Sequence, residues 1–154
     1  MAAEKKAYFP MFIDLSEKKV IVVGAGTIAK RRIRSLLAFT NHLTVIAPEV
    51  NRELLDLEKE GKLTILKKNY EREDIYDAYM VIAATNDNKI NNDIYSACKC
   101  LGILVNISSD KNKCDFYFPG IAQKGNLVIG VTASGENHKE ARAAVEKVRS
   151  MLEE

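Results

Sequence analysis

The chain has 154 residues, 47% of them apolar, with 23 Lys and Arg against 21 Asp and Glu. A net charge of +2 leaves no footprint for nucleic acid or an acidic membrane surface, and no apolar run reaches the length of a bilayer span. Cys98, Cys100 and Cys114 are odd in number and lack Cys-x-x-Cys spacing, so they read as reduced thiols rather than metal ligands. The start, Met1 to Lys6, lacks the apolar core of a signal peptide, and the expected compartment is the cytoplasm.

Tyr8 to Leu15 is too aromatic for a disordered tail and reads as an extended strand or a cover on a sheet edge. Val20 to Val23 is wholly apolar and β-branched, the pattern of a parallel strand buried on both faces. Gly24 and Gly26 interrupt it. From Thr27 the periodicity changes to that of a helix ending near Ala38, with Ile28, Ala29, Ile33, Leu36 and Leu37 on its apolar face. Strand, Gly-x-Gly-x-x-Ala, helix is the dinucleotide fingerprint in its required context. Gly24 permits the tight turn. Gly26 has no side chain to hold a pyrophosphate off the backbone. Ala29 lets helix and strand approach, and the phosphates sit on free N–H groups at the helix start. Lys30, Arg31, Arg32 and Arg34 make this helix basic, which is either a solvated face or an attraction for anions.

Leu43 to Ala47 is a second strand. Pro48 and Glu49 open a second helix, which ends near Gly61, and Leu63 to Leu66 is a third strand. Glu49 lies two residues past the second strand and serves either a ribose hydroxyl or the helix dipole. With Glu49 there and Arg52 a turn further on, the cofactor expected is NAD rather than NADP. Tyr79 to Ala84 is a fourth strand running into Thr85-Asn86-Asp87. Ligands bind at such carboxyl ends, and Thr85 and Asn86 also have the chemistry of helix caps. A helix from Lys89 to Cys100, stopped by Gly102, leads to a fifth strand, Ile103 to Ile107. Asp115 to Phe118 is extended and Pro119-Gly120 breaks it; the turn Gln123 to Asn126 before a strand at Leu127 to Thr132 then predicts a hairpin, and Lys139 to Leu152 a last amphipathic helix. The fold class is α/β, a Rossmann-type parallel sheet with a C-terminal hairpin-helix dimerisation annex. Residues 1–113 form the NAD-binding domain and 114–154 the annex.

Several of these segments, in order, resemble the precorrin-2 dehydrogenase family, the N-terminal type of sirohaem synthase. They are Tyr8 to Phe12, Gly24 to Arg32, Val45 to Glu49, Val81 to Asp87, Val105-Asn106 and Cys114 to Pro119. The resemblance implies NAD-dependent oxidation of precorrin-2, a carboxylate-rich tetrapyrrole, to sirohydrochlorin by a homodimer. It also implies iron insertion in some members. By position it carries cofactor contacts to Thr27, Ile28, Pro48 and Glu49; Thr85 and Asn106 are further cofactor-binding candidates. The family's proposed catalytic acid falls three residues after Asn106, at Ser109, with Asp110 next. A hydroxyl needs an adjacent base to take a proton, so Asp110 is the stronger candidate, unless it is only a turn residue. Ala133 stands where some members have a serine, and members carry a further helical segment beyond the position of Glu154. Arg31, Arg32, Lys111, Lys113, Lys124 and Arg142 are candidates to meet substrate carboxylates. His138 is a candidate tetrapyrrole or metal contact, while His42 reads as structural. No metal site is expected. The alternative reading is a non-catalytic NAD-sensing module, which needs the fingerprint alone.

Overall fold

The computed structural model describes residues 8–154, so the segment read for a signal peptide lies outside the described residues. The chain divides into two compact units, Asp14–Phe116 and residues 8–13 with Tyr117–Glu154.

The larger unit alternates strand and helix: β1 (Val20–Val23), α1 (Thr27–Leu36), β2 (Leu43–Ile46), α2 (Arg52–Lys59) and β3 (Thr64–Leu66). A 3-10 turn, Arg72–Ile75, leads to β4 (Met80–Ala83), α3 (Asn88–Leu101) and β5 (Leu104–Ile107). All five strands are parallel, in the order β3-β2-β1-β4-β5. The apolar runs that announced β1 and β4 are central, and none of their residues is more than 5% exposed. Helices cover both faces of such a sheet, which is why its strands do not alternate with polar residues. Ile33 of α1, Leu54 of α2 and Ile94 of α3 are each fully buried.

The two edges differ. β3 is short and half exposed. The outer edge of β5 is closed by Cys114–Phe116, which runs antiparallel to it through a bridge between Asn106 and Cys114. There Asp115 exchanges backbone and side-chain bonds with Val105: N–H to Val105 O at 2.8 Å, and Val105 N–H to Asp115 Oδ2 at 3.0 Å. Lys99 donates to the other carboxylate oxygen at 2.7 Å. Asn106 Nδ2 donates to Phe116 O at 2.9 Å. The Val-Asn and Cys-Asp-Phe segments are thus two sides of one edge clamp.

Local readings need correction in four places. Pro48 and Glu49 form a bend outside α2, whose cap is Asn51, accepting from Leu54 N–H at 3.1 Å. The cap of α3 is Asp87, not Thr85 or Asn86; it accepts from Lys89 N–H at 2.8 Å. Ile28 is 45% exposed, off the buried face of α1 that Ala29, Ile33 and Leu36 form. Tyr8 to Leu15 forms no strand.

In the smaller unit, β6 (Gly120–Lys124) and β7 (Leu127–Val131) pair antiparallel, and α4 (His138–Glu153) packs on β6. A Cβ on Gly120 would sit 2.5 Å from Val145 Cγ2, so glycine sets how closely α4 approaches. Arg149 donates to Ile121 O at 2.8 Å, and Lys124 donates to Leu152 O. The hydroxyls of Tyr8 and Tyr117 are 2.8 Å apart, with ring centroids at 4.6 Å. A lone two-stranded hairpin is marginal in water, and the helix supplies its apolar cover.

Candidate functional site

The chain runs from β1 outward to β2 and β3, then crosses back to β4 on the other side of β1. Neighbouring carboxyl ends whose connections diverge open a crevice for ligands. Gly24 stands at this point. Its φ is +115°, and a Cβ there would lie 2.3 Å from the carbonyl oxygen of Ala84. Backbone geometry and close approach both require glycine, and the approach joins the loops after β1 and β4.

Gly26 is different. Its φ of −76° suits any residue, and an added Cβ would meet nothing within 4 Å. The chain itself makes no demand for glycine here. The open space lies at the start of α1, which has no side-chain cap and no acid in its first turn. The other α-helices are capped by Asn51, Asp87 and Asn137. Lys30 N–H makes the first helical bond, to Gly26 O, leaving the N–H groups of Thr27, Ile28 and Ala29 for another acceptor. Ala29 is fully buried, as the helix-strand contact requires, while Thr27 is exposed. An uncapped helix start beside an open glycine fits a pyrophosphate.

Pro48 and Glu49 lie exposed beyond β2, next to this turn. Glu49 has no hydrogen bond or ion pair among the described residues, and the dipole of α2 is served instead by Glu53.

On the other side of the crevice, the loops after β4 and β5 are tied together by Asn91, which the sequence reading missed. It is 1% exposed. Its Oδ1 accepts from Thr85 Oγ1 at 2.6 Å and lies 3.4 Å from Thr85 N; its Nδ2 donates to Thr85 O at 3.2 Å and Ser109 Oγ at 3.3 Å. The signal was present: Asn91, Ile94 and Cys98 share one buried face, and a polar residue on such a face demands partners.

Asp110 caps the 3-10 turn Lys111–Lys113, accepting from Asn112 N–H at 3.0 Å, with Lys113 Nζ 3.9 Å from its other oxygen. Its role as a turn residue is therefore real, and a carboxylate has further lone pairs to offer. Ser109 is exposed and Asp110 half-buried. Asn106, assigned to the cofactor, is 3% exposed and holds the β5 edge. Its Oδ1 and the Ser108 hydroxyl oxygen are buried with no hydrogen-bond partner among the described residues. Burial pushes the Arg32 guanidinium down to about 10, with Arg31 acting the same way and Cys114 opposing, so it keeps its charge at neutral pH. Lys113 bonds Asn92 and stands over the Tyr95 ring, whereas the Arg31 and Arg142 guanidinium groups have no hydrogen bond or ion pair among the described residues.

Among the described residues no group of three or more His, Cys, Asp or Glu side chains could hold a metal, and no helix is long and apolar enough to cross a membrane. His138 is the exposed first residue of α4. His42 faces Glu17 at 3.4 Å, beside a cavity of about 330 Å³ at the amino ends of β2 and β3. That cavity is at the opposite end of the sheet from the glycine turn.

Residues 11–120 match a family described as putative NAD(P)-binding. The chain is 39% identical over 144 residues to a probable multifunctional siroheme biosynthesis protein, HemA, of Ruminiclostridium josui, covering 93% of this chain and 28% of the relative. It is 37% identical to a siroheme synthase of Buchnera aphidicola, covering 94% of this chain and 31% of the relative. It thus spans less than a third of these curated relatives. Among solved structures it is similar to SirC, a precorrin-2 dehydrogenase, with a TM-score of 0.80 and 27% identity, covering 95% of this chain and 74% of that one.

Proposed function

The chain belongs to the putative NAD(P)-binding family, and we propose that it oxidises precorrin-2 to sirohydrochlorin with NAD, as a cytoplasmic homodimer. The observation that carries this reading is the uncapped start of α1 beside the open Gly26, across a crevice from Ser109 and Asp110. The likeness to siroheme synthases and to a precorrin-2 dehydrogenase supports the choice of substrate.

NAD, when bound, accepts the hydride that the macrocycle loses. The chain's residues do the rest. The N–H groups of Thr27 to Ala29 would hold the pyrophosphate, and Glu49 would accept from the ribose hydroxyls. Ala84 and Thr85, packed against Gly24, would form the floor of the crevice. Asp110 takes the proton that leaves with the hydride, since an ionised carboxylate accepts one directly. Steady-state assay with precorrin-2 under anaerobic conditions tests the reading: NADH formation should require the protein and be faster with NAD than NADP. No NADH with either cofactor would refute it.

A carboxylate at position 49 accepts from a free 2′-hydroxyl and repels a 2′-phosphate. Glu49→Arg should weaken NAD about tenfold in calorimetry, the cost of one hydrogen bond to a charged group, and bring NADP to at least equal affinity. Unchanged selectivity would remove Glu49 from the site.

The dimer is assigned to the smaller unit. Phe9, Met11 and Phe12 are 69% to 85% exposed there, and Leu127 and Met151 are exposed on the hairpin and helix. Large exposed apolar side chains in one unit of this size suit an isologous contact. Light scattering should give twice the chain mass at micromolar concentration, and a monomer at high concentration would count against the assignment.

A further inference from the structure

We propose that Asn91 is a positioning residue for the reaction proposed above: it makes the Ser109 hydroxyl a hydrogen-bond donor aimed at the substrate's carboxylates. The inference rests on that reading of the substrate.

The orientation of the Asn91 amide is fixed by the Thr85 backbone. The Thr85 N–H can only donate and its carbonyl can only accept, so Oδ1 faces the first and Nδ2 the second. The remaining Nδ2 proton points at Ser109 Oγ, 3.3 Å away. An amide nitrogen has no lone pair to offer, so the serine oxygen must be the acceptor. Ser109 then keeps its own proton, and its hydroxyl has no other hydrogen bond among the described residues. The side chain is exposed at the carboxyl end of β5.

A hydroxyl so polarised is a donor and not a base. It fits an anionic acceptor, and the proposed tetrapyrrole is rich in carboxylates. Its oxygen is held from behind by a residue that is itself 1% exposed and bonded on both amide atoms, so little rotor freedom remains to be lost on binding. This assigns Ser109, at the position where an acid was expected, to substrate binding.

The test is absorbance titration of sirohydrochlorin, with NAD present, into wild type, Asn91→Asp, Ser109→Ala and the double variant. The ionised carboxylate of Asn91→Asp cannot donate, and it draws the Ser109 proton to itself. Each single variant should raise Kd about tenfold, the loss of one hydrogen bond to a charged group. The double variant should bind no more weakly than Asn91→Asp, within about threefold, because both changes remove the same bond. Ser109 is exposed, so Ser109→Ala is read whatever happens at 91. Wild-type affinity in Ser109→Ala overturns the inference, as does a double variant weakened about a hundredfold. A wild type that binds no tetrapyrrole overturns the proposed function and this inference together, whereas wild-type binding with an unaffected Ser109→Ala overturns this inference alone.

Discussion

Gly26→Val is expected to weaken NAD binding at least a hundredfold while the protein stays folded. The substitution is tolerable to the chain: φ at Gly26 is −76° and ψ −171°, extended backbone that a β-branched residue accepts readily. Nothing in the protein lies within 4 Å of the added Cβ. Exposed changes of this kind cost within about 0.5 kcal/mol, so the melting temperature should move by about 2 °C or less. The branched side chain instead occupies the space in front of the free N–H groups of Thr27 to Ala29. A hundredfold loss in Kd corresponds to about 2.7 kcal/mol, comparable with losing a charge-assisted hydrogen bond or two. Calorimetry and a thermal melt on the same preparation separate the two effects. Unchanged NAD affinity in the folded variant would move the pyrophosphate elsewhere.

Asp110→Asn should lower kcat at least a hundredfold and leave NAD affinity intact. The amide is nearly isosteric and keeps an oxygen to accept from Asn112 N–H, so the cap of the Lys111–Lys113 turn survives. What it loses is the ability to take a proton, and general-base assistance is worth on the order of a hundredfold or more. Ser109→Ala should leave kcat within about threefold and act on KM instead, because a hydroxyl whose oxygen accepts from Asn91 is a donor. Should both variants turn over precorrin-2 at the wild-type rate, the loop holds no catalytic group and the enzyme works by positioning alone.

Much of the architecture was legible because central parallel strands cannot be anything but apolar. Val20 to Val23 and Met80 to Ala83 announced themselves in that way, and Gly24 announced the turn from the first of them into α1. What periodicity missed were features set by hydrogen bonds across the fold. Pro48 has the chemistry of a first helical residue, yet the chain bends at Pro48-Glu49 and restarts at Asn51, whose side chain reaches Leu54 N–H. Thr85 could cap a helix, but its hydroxyl is held by Asn91, and Asp87 caps instead. The segment Cys114 to Phe116 read as the start of a new region because nothing local reveals that Asp115 pairs with Val105. Of the site itself, the glycine turn was readable from order alone. The periodicity of α3 puts Asn91 on a buried face, but not which groups meet it: Thr85 lies six residues before it and Ser109 beyond β5.

The central claim is that one crevice holds NAD and a tetrapyrrole and passes a hydride between them. Single-turnover mixing tests it most directly, with protein in excess over precorrin-2 and NAD saturating, following NADH and the macrocycle's visible spectrum together. The account predicts one NADH per sirohydrochlorin, with both signals rising at the same rate constant. NAD that binds while the macrocycle spectrum stays unchanged, or macrocycle oxidation without NADH, would contradict it.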